Sequence, residues 1–386
     1  MDIHQRTLPS AARSRAAAAI VQFCSAGMVA LGLSFPADAT LFTVANLVTD
    51  DQAVNHAQIT DPKLINAWGI SHSASSPFWV SDNGTGFATL YSVNPMTGAV
   101  AKVGLEVAIP GAGTVTGQTF ANIAGNFNGD TFLFVSEDGT ISGWRNALGT
   151  TAEVLQLGSA ANVYKGTTLD ITASGNYLLS ANFRAGTIDV LKGTAGQPDL
   201  PGNFTDPTLP SGYAPFNIDL LAGKIYVTYA LQDAAKHDDV AGPGFGFVDV
   251  FDLQGNFTGR VASGGPLNSP WGLAIAPSSF GTFAGDLLVG NFGDGRINAY
   301  NLSTFAPLGP LLGINGSPLV IDGLWGLLPG NGGMGGSIQS IYFSAGPVDE
   351  QHGLFGVIAA VPEPATLALL GAGLAGLGFS LRRKPN

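Results

Sequence analysis

Between residues 40 and 361 the chain alternates short apolar runs with turns rich in Gly, Asn and Asp. The pattern is plainest in Trp271–Tyr300. Trp271–Ala276 is apolar and stops at Pro277, Asp286–Asn291 is a second apolar run, and Arg296–Tyr300 alternates polar with apolar positions. Gly281 and Gly285 precede the second run, and Gly293-Asp294-Gly295 follows it. Runs this short, punctuated by turn residues, predict an antiparallel sheet.

The unit recurs. Its first strand aligns at Ala67-Trp68-Gly69-Ile70, Phe120-Ala121-Asn122-Ile123, Thr168-Leu169-Asp170-Ile171, Pro215-Phe216-Asn217-Ile218, Pro270-Trp271-Gly272-Leu273 and Leu324-Trp325-Gly326-Leu327. Taken at the third residue of each, the spacings are 53, 48, 47, 55 and 54. A second strand follows each (Phe78–Asn83, Phe132–Asp138, Tyr177–Asn182, Lys224–Ala230, Asp286–Asn291, Ser340–Ala345) and then a third (Ala88–Val93, Ile141–Arg145, Thr187–Leu191, Gly246–Asp252, Arg296–Tyr300, Leu354–Ala360). Fourth strands are fainter, with Ala101–Val107, Glu153–Leu157 and Gly259–Ala262 as candidates. A period near 50 residues with about four strands per unit is the signature of propeller blades. Six units predict an all-β, six-bladed β-propeller over residues 40–361, with a strand near Leu41–Leu47 completing the last blade. Six similar units are too many for a single β-sandwich.

The two ends read differently. Arg6, Arg13 and Arg15 precede the mostly apolar Ala16–Leu33, and Ala37-Asp38-Ala39 is an A-x-A pattern, so residues 1–39 are expected to be a secretory signal peptide cut after Ala39. At the other end Pro362-Glu363-Pro364 leads into a 17-residue apolar run, Ala365–Leu381, closed by Arg382-Arg383-Lys384. As a transmembrane helix that run spans roughly 25 Å, enough to cross a bilayer with some thinning, with the basic cluster held on the cytoplasmic side.

Charge narrows the partners. The whole chain carries −11, but residues 40–361 hold 10 basic against 24 acidic side chains, a net of −14. Such a surface repels phosphate backbones and excludes nucleic acid as a partner, while remaining compatible with divalent cations. The single cysteine, Cys24, falls in the expected signal peptide, so the mature chain has neither a disulfide nor a cysteine metal site.

Pro-Glu-Pro followed by an apolar helix and a basic end resembles the PEP-CTERM sorting tail of Gram-negative bacteria. That resemblance implies an exosortase-type protease acting near Pro362, Glu363 and Pro364, anchoring in the inner membrane before processing, and a destination at the cell surface or in a biofilm-type extracellular matrix with exopolysaccharide as a partner. The middle of the chain, through NAWGI, HDDVAGPGFGFVDVFD, LNSPWGLAIAP, LLVGNFGDGRINAY, LWGL and GPVDEQHGLFGVI, resembles a family of exported bacterial propeller proteins to which no activity is assigned. It implies fold and export and lends no catalytic residues. A monomer is expected.

In a propeller, the start of each first strand and the turn after each second strand share one face. Two sets of candidate residues arise there. At the channel mouth the alignment offers Asn122, Asp170 and Asn217 in three consecutive blades, oxygen donors suited to Ca2+; the alternative is that they satisfy backbone groups where strands converge. In the turns, Ala230–Gly244 and Ala345–Gly353 are longer than a hairpin needs and combine acids with histidine: His237, Asp238 and Asp239 in one, Asp349, Glu350 and His352 in the other. These could ligate a cation or act as acid and base groups. Trp68, Trp271 and Trp325 share one repeat position and are read as packing between blades, with sugar stacking as the alternative. No nucleophile elbow, zinc-protease helix, phosphate loop or Rossmann fingerprint is present. Two functions stay open: a non-catalytic binding protein for polysaccharide, a surface partner or a cation, and a calcium-dependent hydrolase or lactonase-like enzyme with its site at the channel mouth.

Overall fold

The computed structural model describes residues 40–361. They form six sheets arranged as propeller blades, antiparallel except where Ile59–Thr60 and Leu312–Gly313 pair parallel to Leu41–Thr49. Blade 1 comprises Ala67–Ser71, Phe78–Asp82, Phe87–Val93 and Val100–Ala108; blade 2 comprises Val115–Phe120, Phe132–Ser136, Ile141–Trp144 and Glu153–Gln156. Blade 3 has three strands, Tyr164–Ile171, Asn176–Asn182 and Thr187–Lys192. Blade 4 runs through Tyr213–Leu221, Lys224–Leu231, Phe247–Phe251 and Phe257–Ser263; blade 5 through Pro270–Ile275, Leu287–Asn291, Ile297–Tyr300 and Pro307–Pro310.

Blade 6 is built from both ends of the described chain. Its inner strands are Leu324–Pro329, Ile341–Ala345 and Leu354–Ala360, and its fourth is Leu41–Thr49, antiparallel to the third from Phe42 opposite Ala360 to Thr49 opposite Leu354. This is the closure that the alternation of Leu41–Leu47 predicts. Phe42, Leu47 and Val48 are buried in it. Among the described residues no helix is long and apolar enough to cross a membrane. The expected signal peptide with Ala37 and Ala39, the Pro362-Glu363-Pro364 motif and the tail helix lie outside the described residues.

Every inner strand carries a β-bulge against its neighbour, at Trp68-Gly69, Thr116-Gly117, Lys165, Phe216, Trp271 and Trp325-Gly326. A bulge re-aims a side chain that would otherwise alternate across the sheet. Here it turns Trp68, Lys165, Phe216, Trp271 and Trp325 toward the axis, each followed by glycine except Phe216, which Asn217 follows. A Cβ on Gly117 would lie 2.7 Å from the Thr167 amide nitrogen of blade 3, one on Gly69 2.6 Å from the Thr116 carbonyl oxygen of blade 2, and one on Gly272 2.8 Å from the Trp325 carbonyl oxygen of blade 6. Inner strands converge too closely there for a side chain.

These bulges correct the repeat alignment in two blades. The inner strand of blade 2 is Val115–Phe120, so its axial residue is Gly117, and Asn122 lies beyond the strand end, exposed. Blade 3 begins at Tyr164, so its axial pair is Lys165-Gly166, and Asp170 sits near the strand's far end. The physical reason is that Ala121 and Phe127 are buried and Ile123 partly so, in a loop packed against blades 2 and 3. Their apolar pattern imitates a strand.

Candidate functional site

The bulge residues plug the channel. Trp68 and Trp325 stack with centroids 3.6 Å apart, Trp271 meets both edge-on, and Phe292 stacks on the other face of Trp325 at 4.0 Å. Phe216 and Phe183 complete the cluster. The three tryptophans are between 1% and 5% exposed, which gives them no face for stacking a sugar and fits their reading as packing between blades. Lys165 holds the equivalent position in blade 3. Its ammonium lies over the Trp68 ring, 5.0 Å from the centroid, a cation–π contact at the edge of the plug.

From Lys165 a polar arc crosses the mouth on the face that holds the turns after the second strands. The ammonium donates to Glu137 Oε1 at 2.5 Å and to Asp238 Oδ1 at 3.2 Å. Asp238 Oδ1 also lies 2.8 Å from His237 Nδ1. In the other direction Asn83 Nδ2 donates to Glu137 Oε2 at 3.3 Å, Asn66 Nδ2 to Asn83 Oδ1 at 3.2 Å, and Asn66 Nδ2 also to Glu350 Oε1 at 3.2 Å. Asn66 Oδ1 accepts from the Trp325 indole at 3.3 Å, tying the arc to the plug. The two extended loops, of blades 4 and 6, thus meet through blades 1 to 3.

Local backbone chemistry places these groups. Asp233 Oδ1 accepts from the amides of His237 and Asp238, a side-chain-to-backbone turn that folds the blade 4 loop over the mouth. In blade 6, Val348, Asp349 and Glu350 are consecutive non-glycine residues in the left-handed region, at φ 58°, 50° and 64°. Each such residue costs about 1–2 kcal/mol. The turn is held by Asp322 Oδ2, which accepts from the Val348 amide at 2.9 Å. It delivers Glu350 inward and leaves Asp349 exposed.

The electrostatics follow from burial and neighbours. Burial pulls the Lys165 ammonium down, but the charges of Glu137 and Asp238 outweigh it and hold the group above the usual lysine range. Burial pushes Asp238 up, and Lys165 with His237 more than reverses that, so it lies below the usual carboxylate range. Glu350 is pushed to about 7, chiefly by burial, with Glu137 and Asp238 adding to it against Asn66 and Lys165. Burial also raises Asp239, whose Oδ2 is enclosed without a partner.

Of the residues singled out from sequence, His237, Asp238 and Glu350 therefore join one constellation, with Asp239 beside it. His352 does not: its Nδ1 lies 2.8 Å from Asp50 Oδ2, and Asp50 also accepts from the Gly353 amide, which pins the loop to the end of the closing strand. Asp349 is exposed and Asn122 is on a loop. Asp170 is fully buried with neither oxygen hydrogen-bonded, and burial pushes it to about 6. Only Asn217 of the proposed calcium trio lines the channel, and its Nδ2 donates to the Trp271 carbonyl of the next blade at 2.8 Å. It serves the backbone where strands converge.

Lys165 and Asn66 escape the sequence reading, and Glu137 and Asn83 look there like ordinary turn residues. A signal is nevertheless present. Aligning on the dipeptide at each bulge gives Trp68-Gly69, Thr116-Gly117, Lys165-Gly166, Phe216-Asn217, Trp271-Gly272 and Trp325-Gly326, with Lys165 as the one charge. Glu137, His237 and Asp238 offer ligand atoms all within 4.8 Å of one another, a geometry that could hold a cation, but the Lys165 ammonium sits against two of the three.

Comparison with known proteins agrees with this architecture. Residues 360–384 match the PEP-CTERM protein-sorting motif, the mark of an exported chain sorted by exosortase. The chain resembles in fold the alpha-l-arabinofuranosidase arb93a from Fusarium graminearum, solved with an iminosugar inhibitor, at a TM-score of 0.50 and 11% identity over 83% of this chain and 98% of that one. It is 33% identical over 325 residues to uncharacterized protein R648 of Acanthamoeba polyphaga mimivirus, covering 79% of this chain and 77% of the relative. With uncharacterized protein L690 of the same virus it shares 33% identity over 311 residues, 77% of this chain and 80% of the relative. The chain belongs to the family of these uncharacterized mimivirus proteins and joins its propeller to a PEP-CTERM tail.

Proposed function

We propose that the protein is a non-catalytic binding module of the cell surface or extracellular matrix, and that it recognises polysaccharide at the channel mouth. The observation that carries this reading is the hydrogen-bonded arc from Glu350 to His237. It spans blades 6 to 4 and draws in the two loops that exceed hairpin length. The aromatic plug beneath it leaves no path for a substrate into the channel from this side. Three carboxylates, Glu137, Asp238 and Glu350, face one ammonium, so the mouth favours hydroxyl donors and amines over uronates. Binding should follow that order: a neutral or amine-bearing polysaccharide binds, and a uronate polymer binds more weakly. Isothermal titration of the full chain against both, with Lys165→Met and Glu350→Gln as variants, tests it. Stronger binding of the uronate polymer, or binding indifferent to both substitutions, would sink the reading.

The calcium-dependent hydrolase is the second reading, favoured by the close approach of Glu137, His237 and Asp238. It requires calcium to displace the Lys165 ammonium. Thermal unfolding at saturating calcium decides: a bound ion raises the melting temperature by mass action, and an unchanged melting temperature removes this reading.

A further inference from the structure

The plug divides the channel, and the half away from the polar arc is open. It encloses a cavity of about 250 Å3 lined by all six inner strands. At about 30 Å3 per water in the liquid, that is roughly eight waters' worth of space, below the usual size of a drug-like pocket and suited to one small ring.

Its walls differ by side. Blades 2 to 4 present Thr119, Thr168, Asn217 and Asp219, while blades 5 and 6 present Trp271, Leu273 and Leu327. Much of the polar wall is already engaged. Asn217 donates to the Trp271 carbonyl, and Thr168 Oγ1 donates to Asp219 Oδ1 at 3.3 Å while accepting from the Leu220 amide at 3.2 Å. Capacity remains at acceptors: the second oxygen of Asp219 has no side-chain partner among the described residues, where Thr168 is the only side chain bonded to that carboxylate. A cavity with an apolar wall and a carboxylate opposite suits a ligand with a C–H face and a donor-rich edge.

We propose that this half of the channel is a second binding site, independent of the mouth, for a single pyranose-sized polyol: its hydroxyls donate to Asp219 and its apolar face lies toward Leu273 and Leu327. The ligand enters from the face that carries the turns between first and second strands.

The experiment titrates the full chain with D-glucose, D-galactose and D-mannose, following tryptophan fluorescence and saturation-transfer NMR. At the ligand efficiency usual for small ligands a twelve-atom sugar reaches a Kd in roughly the millimolar range. Asp219→Ala should weaken binding at least about tenfold, the factor expected when a charged hydrogen-bond partner is lost, and Thr119→Trp, which fills the cavity, should abolish it with the melting temperature retained. Two variants on opposite grounds guard against one failing to fold. Absence of saturable signal for all three sugars overturns the proposal, as does binding that survives both substitutions, since the sugar would then sit elsewhere.

Discussion

At the residue scale the axis is governed by volume. Gly117 has no room for a methyl group because the backbone of blade 3 lies within 2.8 Å of where its Cβ would stand. Gly117→Ala should therefore lower stability by about 1–3 kcal/mol, the usual cost of overpacking. Gly104 lies on the outer strand of blade 1, and a Cβ there would meet nothing within 4 Å, so Gly104→Ala should be neutral or slightly stabilising. Urea unfolding of both variants checks the contrast; equal losses would mean that the axial crowding has no energetic weight. The same crowding explains what the sequence does and does not disclose here. Gly69, Gly272 and Gly326 follow tryptophans and are legible as a repeat. Lys165-Gly166 follows the same rule, but a lysine at an aromatic position looks like a strand start on the surface, and only its burial against Trp68 shows otherwise.

At the element scale the strands are the most legible feature, because each second and third strand is an apolar run closed by turn residues. Two elements break the pattern for physical reasons. Blade 3 lacks a fourth strand, and the segment that would form one carries Pro198, Pro201, Pro207 and Pro210, each unable to donate to a ladder. It crosses to blade 4, where Phe204 packs on Phe251. The loop after Val115–Phe120 is apolar because it is buried, which hides the register of blade 2. The closing strand Leu41–Thr49 is visible as an unpaired alternating run. It buries Phe42, Leu47 and Val48, at about 1.5–3 kcal/mol each. Deleting residues 41–49 should lower the melting temperature by more than about 10 °C, and the peptide LFTVANLVT added in trans should restore part of it. A deletion that leaves the melting curve unchanged would show that blade 6 stands without its fourth strand.

At the scale of the whole molecule, several carboxyl groups are buried with little compensation. Burial pushes Asp170 and Asp219 to about 6 and Glu350 to about 7, and raises Asp82 well above its ordinary value. A carboxyl whose folded pKa is raised binds its proton more tightly in the folded state, so its contribution is full below about 4 and is lost as pH rises through 6 to 7. Glu106, Glu153, Asp238 and Asp252 are held low and act in the opposite sense, losing their contribution below about 4. Thermal stability should therefore peak near pH 5 and decline toward pH 8, helped by relief of the net negative charge. Asp170→Asn should flatten the decline and raise stability at pH 7.5 by on the order of 1–3 kcal/mol. Melting curves from pH 4 to 8 test both; a maximum above pH 7 would contradict them. None of this is legible in the sequence, where Asp170 looks like an accessible oxygen donor.

The ladder that joins Phe42 to Ala360 has a consequence for how this chain is made. The first strand of the propeller waits for the last, so the ring stays unfinished until the chain is present through Ala360. The sorting segment begins at Ala360, inside that final strand. Sorting segment and latch are contiguous, and a chain shortened past Ala360 would lose the partner of Phe42. Ladder and sorting motif thus share Ala360, and the last backbone pairing, from the Val361 N–H to the Leu41 carbonyl, comes one residue before Pro362-Glu363-Pro364.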